Sequence, residues 1–251
     1  IALSSEPIAA ELRSRLLHPV IDLSLPDWMN VRELARCLRP LGLSLGRIWA
    51  AWKAGLAAQE AYRSQCVEEG RRILSEVERS GEKAVVVVGR PYNVYDGGIN
   101  LEIPRKLSEL GFRVIPFELL PFDEKDLDPF FHNMFWHYGQ RILHAAQFVK
   151  DRKNLFLLFL TSFSCGPDSF ILSYVEEILG SRPFLILEMD EHSADTGYGT
   201  RLEAFADVVA KYEKDPPVEK RALYVKSPST DARGRKILLA PMHPAVVPLF
   251  A

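Results

Sequence analysis

The chain has 251 residues, 47% of them hydrophobic and 25% charged, with 33 acidic against 31 basic side chains and a formal net charge of −2. A chain of this length buries roughly 70–75% of the surface its unfolded form exposes, so its core needs no staples. The near-neutral balance supplies no basic field for nucleic acid or anionic lipid, and no patch of interleaved arginines and aromatics makes one locally. Three widely spaced cysteines, Cys37, Cys66 and Cys165, form no CxxC pair and no disulfide framework, which reads as free thiols in a reducing cytoplasm. No apolar run is long enough to span a membrane and no signal-peptide pattern opens the chain. The chain begins without Met and stops at Leu249-Phe250-Ala251 inside an apolar run, so both ends are expected to be cuts through a longer protein.

Residues 1–46 read as an irregular and helical lead-in punctuated by Pro7, Pro19, Pro26 and Pro40, with Asp27 as the expected cap of a helix running to Arg39. The clearest helix is 45–79, where Ile48, Trp52, Leu56, Tyr62, Cys66, Ile73, Leu74 and Val77 recur at three- and four-residue steps. Gly55 and Gly70 mark places where it bends or packs closely, and Ser80-Gly81 ends it. The β-branched run 83–88 then predicts a strand buried on both faces. A helix over 98–111 and a strand over 112–116 complete a βαβ unit, which implies parallel strands and a right-handed crossover. An acidic loop (121–129), an aromatic-rich helix (131–150), a strand (155–160), a helix (169–179), a strand (184–188) and a helix (199–212) follow. Residues 213–251 read as a linker and the start of a further unit, with a strand at 237–240. The predicted fold is α/β: residues 47–212 form a Rossmann-like, open, mostly parallel sheet with helices on both faces, preceded by the helical lead-in.

Ligands of such folds bind beyond the carboxyl ends of the strands. Four polar or glycine-bearing loops gather there. The first carries Gly89, Arg90, Tyr92 and Asn93; it lacks GxGxxG and P-loop patterns, so a dinucleotide site is not expected. Arg90 suits either a bidentate grip on a carboxylate or phosphate or an internal ion pair. The second loop carries Glu118. The third, Ser162-Phe-Ser-Cys-Gly-Pro-Asp-Ser169, places Cys165 before a helix whose free N–H groups and dipole favour a thiolate, with Ser164 and Gly166 beside it and Asp168 or Ser169 as the cap. Cys165 reads either as a metal ligand or nucleophile or as a small packed residue. The fourth loop carries Glu188, Asp190, Glu191 and His192, with Arg201 on the next helix as an ion-pair partner; it suits cation binding, proton movement or a hydrogen-bonded support for the other loops. Trp136 and Tyr138 line a pocket or belong to the core, and histidines 132, 137 and 144 do not make a zinc motif.

Four segments in order, GRPYNVYDGGINLEIPRKL (89–107), NMFWHYGQRILHAAQF (133–148), FLTSFSCGPDSFI (159–171) and LEMDEHSADTGYGTRLEAFADV (187–208), resemble the iron–sulfur part of the acyl-CoA dehydratase activase-related proteins. That part is similar in turn to the subunits of 2-hydroxyacyl-CoA dehydratase and benzoyl-CoA reductase. The resemblance covers roughly residues 45–210. It implies a doubly wound fold, an iron–sulfur cluster held by cysteines from separate loops, and an oxygen-sensitive protein of an anaerobe's cytoplasm. Cys165 matches the last ligand; the others are expected upstream of Ile1, and Cys37 and Cys66 are expected to be packing residues. The implied partners are an ATP-dependent activase domain or subunit and acyl-CoA, with no nucleic acid and no membrane. The implied function is electron transfer within a reductase system acting on acyl-CoA-type or other small substrates. Two further readings stand beside it: a non-catalytic docking domain of a larger activase protein, and an α/β module that binds CoA or another anion through Arg90.

Overall fold

The computed structural model describes residues 16–121, 134, 136–190 and 195–215. Expectations for residues 1–15, the acidic loop, the start of the aromatic helix, Glu191, His192, the linker and the strand at 237–240 fall outside the described residues.

The lead-in contains helix α1, Asp27–Cys37, followed by a single 3-10 turn at Arg39–Leu41. Asp27 does not cap α1. Pro26 holds the entry position, and the Asp27 carboxylate instead reaches Lys53 at 2.6 Å, joining α1 to the next helix. Helix α2 spans Leu45–Ser80; the Ser44 hydroxyl caps it by accepting from the Arg47 amide at 3.4 Å, and left-handed Gly81 closes it through a bond to the Val77 carbonyl. At 36 residues it is about 54 Å long. Only its C-terminal part, with Cys66, Gly70, Leu74 and Val77, is buried on the sheet domain.

Strands β1 (Ala84–Gly89), β2 (Arg113–Pro116), β3 (Leu155–Ser162) and β4 (Phe184–Met189) form a parallel sheet in the order β2-β1-β3-β4. The two central strands are enclosed on both faces, as their unbroken apolar runs require: Val85 to Val88 and Phe156 to Leu160 are almost fully buried. Four helices complete the domain: α4 (Ile103–Glu109), α5 (His137–Lys150), α6 (Gly166–Leu179) and α7 (Asp195–Lys214). The chain moves outward from β1 to β2 and then returns past β1 to β3, so right-handed crossovers put α4 on one face and α5 and α6 on the other. Helix α7 joins α4 on its face, where Phe205 stacks on Phe112 with ring centroids 6.0 Å apart.

The region after β1 departs from expectation. A short helix, α3 (Pro91–Tyr95), begins directly after the strand, with Pro91 at its first turn. The expected helix over 98–111 shrinks to α4. Asp96 accepts from the Gly98 and Ile99 amides at 2.9 and 3.0 Å, and Leu101 and Glu102 adopt positive φ, so residues 96–102 are a tight turn.

The two glycines of α2 do different work. Gly70 lies against the Leu119 carbonyl so closely that any Cβ would overlap it, whereas Gly55 faces open space. Gly70→Ala should therefore destabilise the protein by about 1–3 kcal/mol through overpacking. Gly55→Ala should stabilise it by about 0.5–1 kcal/mol through helix propensity alone. Urea titrations of the two variants check this contrast.

Candidate functional site

The strand order reverses between β1 and β3, and the crevice at their carboxyl ends is where such sheets take ligands. Gly89 ends β1 with φ +154 and its Cα against the Leu160 carbonyl of β3, a contact that excludes any side chain. The next residue, Arg90, reaches across to α6. Its Nε and Nη2 both donate to Asp168 Oδ1, at 3.1 and 2.8 Å, while the Thr161 hydroxyl donates to Asp168 Oδ2 at 2.8 Å. The Asp168 side chain is 1% exposed and that of Arg90 17%. This is an ion pair around a buried carboxylate with both oxygens hydrogen-bonded, so of the two roles open to Arg90 the structure gives it the internal one.

A second link runs parallel to the first. Asn93, wholly buried in α3, hydrogen-bonds Ser162 at the end of β3, with Nδ2 3.2 Å from Oγ. Together the two links hold the turn Ser162-Phe163-Ser164-Cys165. Ser164 has φ +60, an uncommon conformation for a residue with a Cβ, and the Cys165 amide closes the turn on the Ser162 carbonyl at 3.0 Å. Cys165 is itself the N-cap of α6, half-buried and unoxidised. The helix starts at Gly166, three residues before the expected start. Neither Asp168 nor Ser169 caps it: Asp168 is engaged by Arg90 and Thr161, and the Ser169 hydroxyl donates back to the Cys165 carbonyl at 2.9 Å.

Between the ends of β1, β3 and β4 opens a cleft of about 640 Å³ lined in part by Tyr92, Asn93, Ser162, Phe163, Met189 and Asp190. Among the described residues that line it, Asp190 carries the only charge. Tyr92 and Phe163 are more than half exposed, so the cleft offers aromatic faces and no cation. Glu188 is exposed on β4, and its carbonyl accepts from the Tyr198 hydroxyl at 2.7 Å. Arg201 bonds the Ile186 carbonyl at 3.1 Å rather than a carboxylate. Trp136 meets Phe170 of α6 edge-on at 5.8 Å, one turn from Cys165, whereas Tyr138 packs on Phe117 at 6.4 Å. The two aromatics therefore face different neighbours and do not form one pocket wall. Cys37 and Cys66 lie on α1 and α2, and no group of three or more His, Cys, Asp or Glu side chains gathers to hold a metal among the described residues.

Sequence reasoning missed two features. Thr161 is a polar residue ending an otherwise apolar strand seven positions before an Asp, and that spacing was the available signal. The other is a contact between Tyr95 and Glu118 beside α2, where the tyrosine hydroxyl donates to the carboxylate. Burial holds the Glu118 carboxyl above its ordinary range although the Tyr95 hydrogen bond opposes it, and burial followed by Glu118 pushes the Tyr95 phenol up.

Residues 2–120 match the family model of a CoA enzyme activase uncharacterised domain. The CoA enzyme activase match takes in α1, α2, β1, the Arg90 loop, α4 and β2, and ends one residue after Leu119. It supports the activase side of the resemblance; Cys165 and β3 lie beyond it. Comparison with curated proteins and with solved structures gives no match. No helix among the described residues is long and apolar enough to cross a membrane.

Two outcomes are expected. Asp168→Ala strands a buried guanidinium and should cost about 3–5 kcal/mol, while the Arg90→Ala/Asp168→Ala pair should cost less than the sum of the single changes; a double-mutant cycle by urea denaturation reads this. Glu118 has a folded-state pKa above its unfolded one, so its contribution is present in acid and is lost as pH rises through the raised value. Unfolding free energy should fall across that window, and Glu118→Gln should flatten the fall.

Proposed function

We propose that the chain is part of an iron–sulfur electron-transfer module that acts with an ATP-dependent activase on acyl-CoA-type small substrates, and that Cys165 supplies one of the cluster's thiolates. The observation that carries the reading is the setting of Cys165. Its thiol stands at the cap of α6, at the carboxyl end of a central strand, on a turn fixed by two side-chain links to the loop after β1. A ligand sulfur needs this kind of rigid support, because supporting hydrogen bonds orient it and tune the potential of what it holds. The activase match to residues 2–120 supports the partner and substrate class.

One thiolate fits as a member of a ligand set and does not make a set. The remaining ligands would come from outside the described residues. When bound, the cluster would supply one-electron chemistry. The chain's own residues would hold Cys165 in place through the links to Asp168 and Ser162, with the Trp136–Phe170 ring pair on the same helix and a cleft lined by Phe163 of the same turn. The same cleft argues against the anion-binding alternative, since Arg90 is neutralised by Asp168.

Anaerobic reconstitution of the longer natural protein with iron and sulfide is the test. Cys165→Ala should lose most of the bound iron and the sulfur-to-iron charge-transfer absorption, whereas Cys37→Ala and Cys66→Ala should keep both. Retention of iron and absorption by the Cys165 variant would remove the ligand role.

A further inference from the structure

Helix α2 outruns the domain it belongs to. Its C-terminal end feeds β1 at the amino edge of the sheet, and Gly70 is level with Leu119 at the carboxyl edge. The 25 residues from Leu45 to Glu69 therefore extend about 37 Å beyond that edge. Helix α1, 11 residues and about 17 Å long, covers only part of this arm. Thirteen of the twenty large hydrophobic side chains that stand exposed among the described residues belong to residues 16–62, an excess that scattered surface apolar groups do not explain. Between the two helices lies a groove of about 520 Å³. Ile48, Trp52 and Leu56 line it from α2 at four-residue steps, facing Leu34 and Leu38 of α1, so its floor is a straight apolar stripe parallel to α2.

Among the described residues that line the groove, Arg47 alone is charged. Asp27 is taken by Lys53 and Glu33 by Arg36, each at 2.6 Å. Arg39 and Arg47 remain exposed with no carboxylate at ion-pair distance among the described residues, and Arg47 itself lines the groove. We propose that the α1–α2 arm docks an amphipathic helix of a partner protein, apolar on one face and flanked by carboxylates. The straight stripe selects a helix, which presents anchors at the matching steps, and Arg47 in the groove wall, with Arg39 exposed next in sequence to Leu38, selects acidic flanks. A second copy of the chain is the poorer occupant, because it would bring the same arginines face to face. This proposal does not rest on Cys165 as a ligand.

The test uses the full chain and two synthetic helical peptides, one with a leucine face flanked by glutamates and one with lysines in their place, followed by fluorescence anisotropy. The glutamate peptide should bind at least about tenfold more tightly than the lysine peptide. Arg39→Glu/Arg47→Glu should reverse the order of the two peptides with helix content unchanged by circular dichroism. Both changes are at exposed positions, and Leu23→Asp on the groove lip should weaken both peptides. Equal binding of the two peptides, no saturation of the glutamate peptide by about 1 mM, or sedimentation showing that a dimer covers the groove would overturn the proposal.

Discussion

The Arg90–Asp168 ion pair is the constraint on which the rest of the crevice depends. It crosses the one place where the strand order reverses, joining the end of β1 to the first turn of α6, with Thr161 of β3 completing the carboxylate's hydrogen bonds. Two charges taken out of water are tolerated only when each is fully paired. That requirement fixes the position of Asp168, hence the start of α6 at Gly166, hence Cys165 as its cap. The residue with the most chemistry in the chain is thus positioned by a pair that performs no chemistry itself.

The same pair decides what the crevice can receive. An open α/β sheet that binds nucleotides relies on glycine-rich turns, helix N-termini and often a cation beside the phosphates. Here the natural cation at the end of β1 is neutralised, the first turn after it is occupied by Pro91 of α3, and among the described residues the cleft walls are uncharged apart from Asp190. Among the described residues, such a lining offers no positive charge to a phosphate.

The sheet was legible because its signals are local and redundant. The runs at 84–88 and 155–160 have no polar residue to place on an exposed face, so burial on both sides is forced, and parallel pairing follows from the helices between them. The loops after β1 and β3 were legible as site candidates for the same reason: polar and glycine residues follow directly on buried strands. What could not be read was the pairing between loops. Arg90 and Asp168 are 78 positions apart, and nothing near Arg90 distinguishes an anion-binding side chain from one already engaged. The capping role of Asp168 was plausible from sequence spacing and was overridden by that tertiary contact. Residues 96–100 read as a turn and helix cap, and the structure extends that turn through Glu102: the Asp96 side chain takes the Gly98 and Ile99 amides, and α4 starts only at Ile103.

The arm and the crevice are connected by geometry. Because α2 passes the carboxyl edge of the sheet at Gly70 and continues outward, its uncovered apolar face and the turn bearing Cys165 project from the same end of the molecule. A partner seated on the arm would therefore lie over the strand ends rather than behind them. On the two readings proposed above, two needs share one direction: that of a cysteine for further ligands, and that of a helix for a neighbour. A domain that projected its arm from the amino edge could satisfy the second need without approaching the first. The close fit of Gly70 on the Leu119 carbonyl, just past the end of β2, sets this direction, because no Cβ fits between the two backbones.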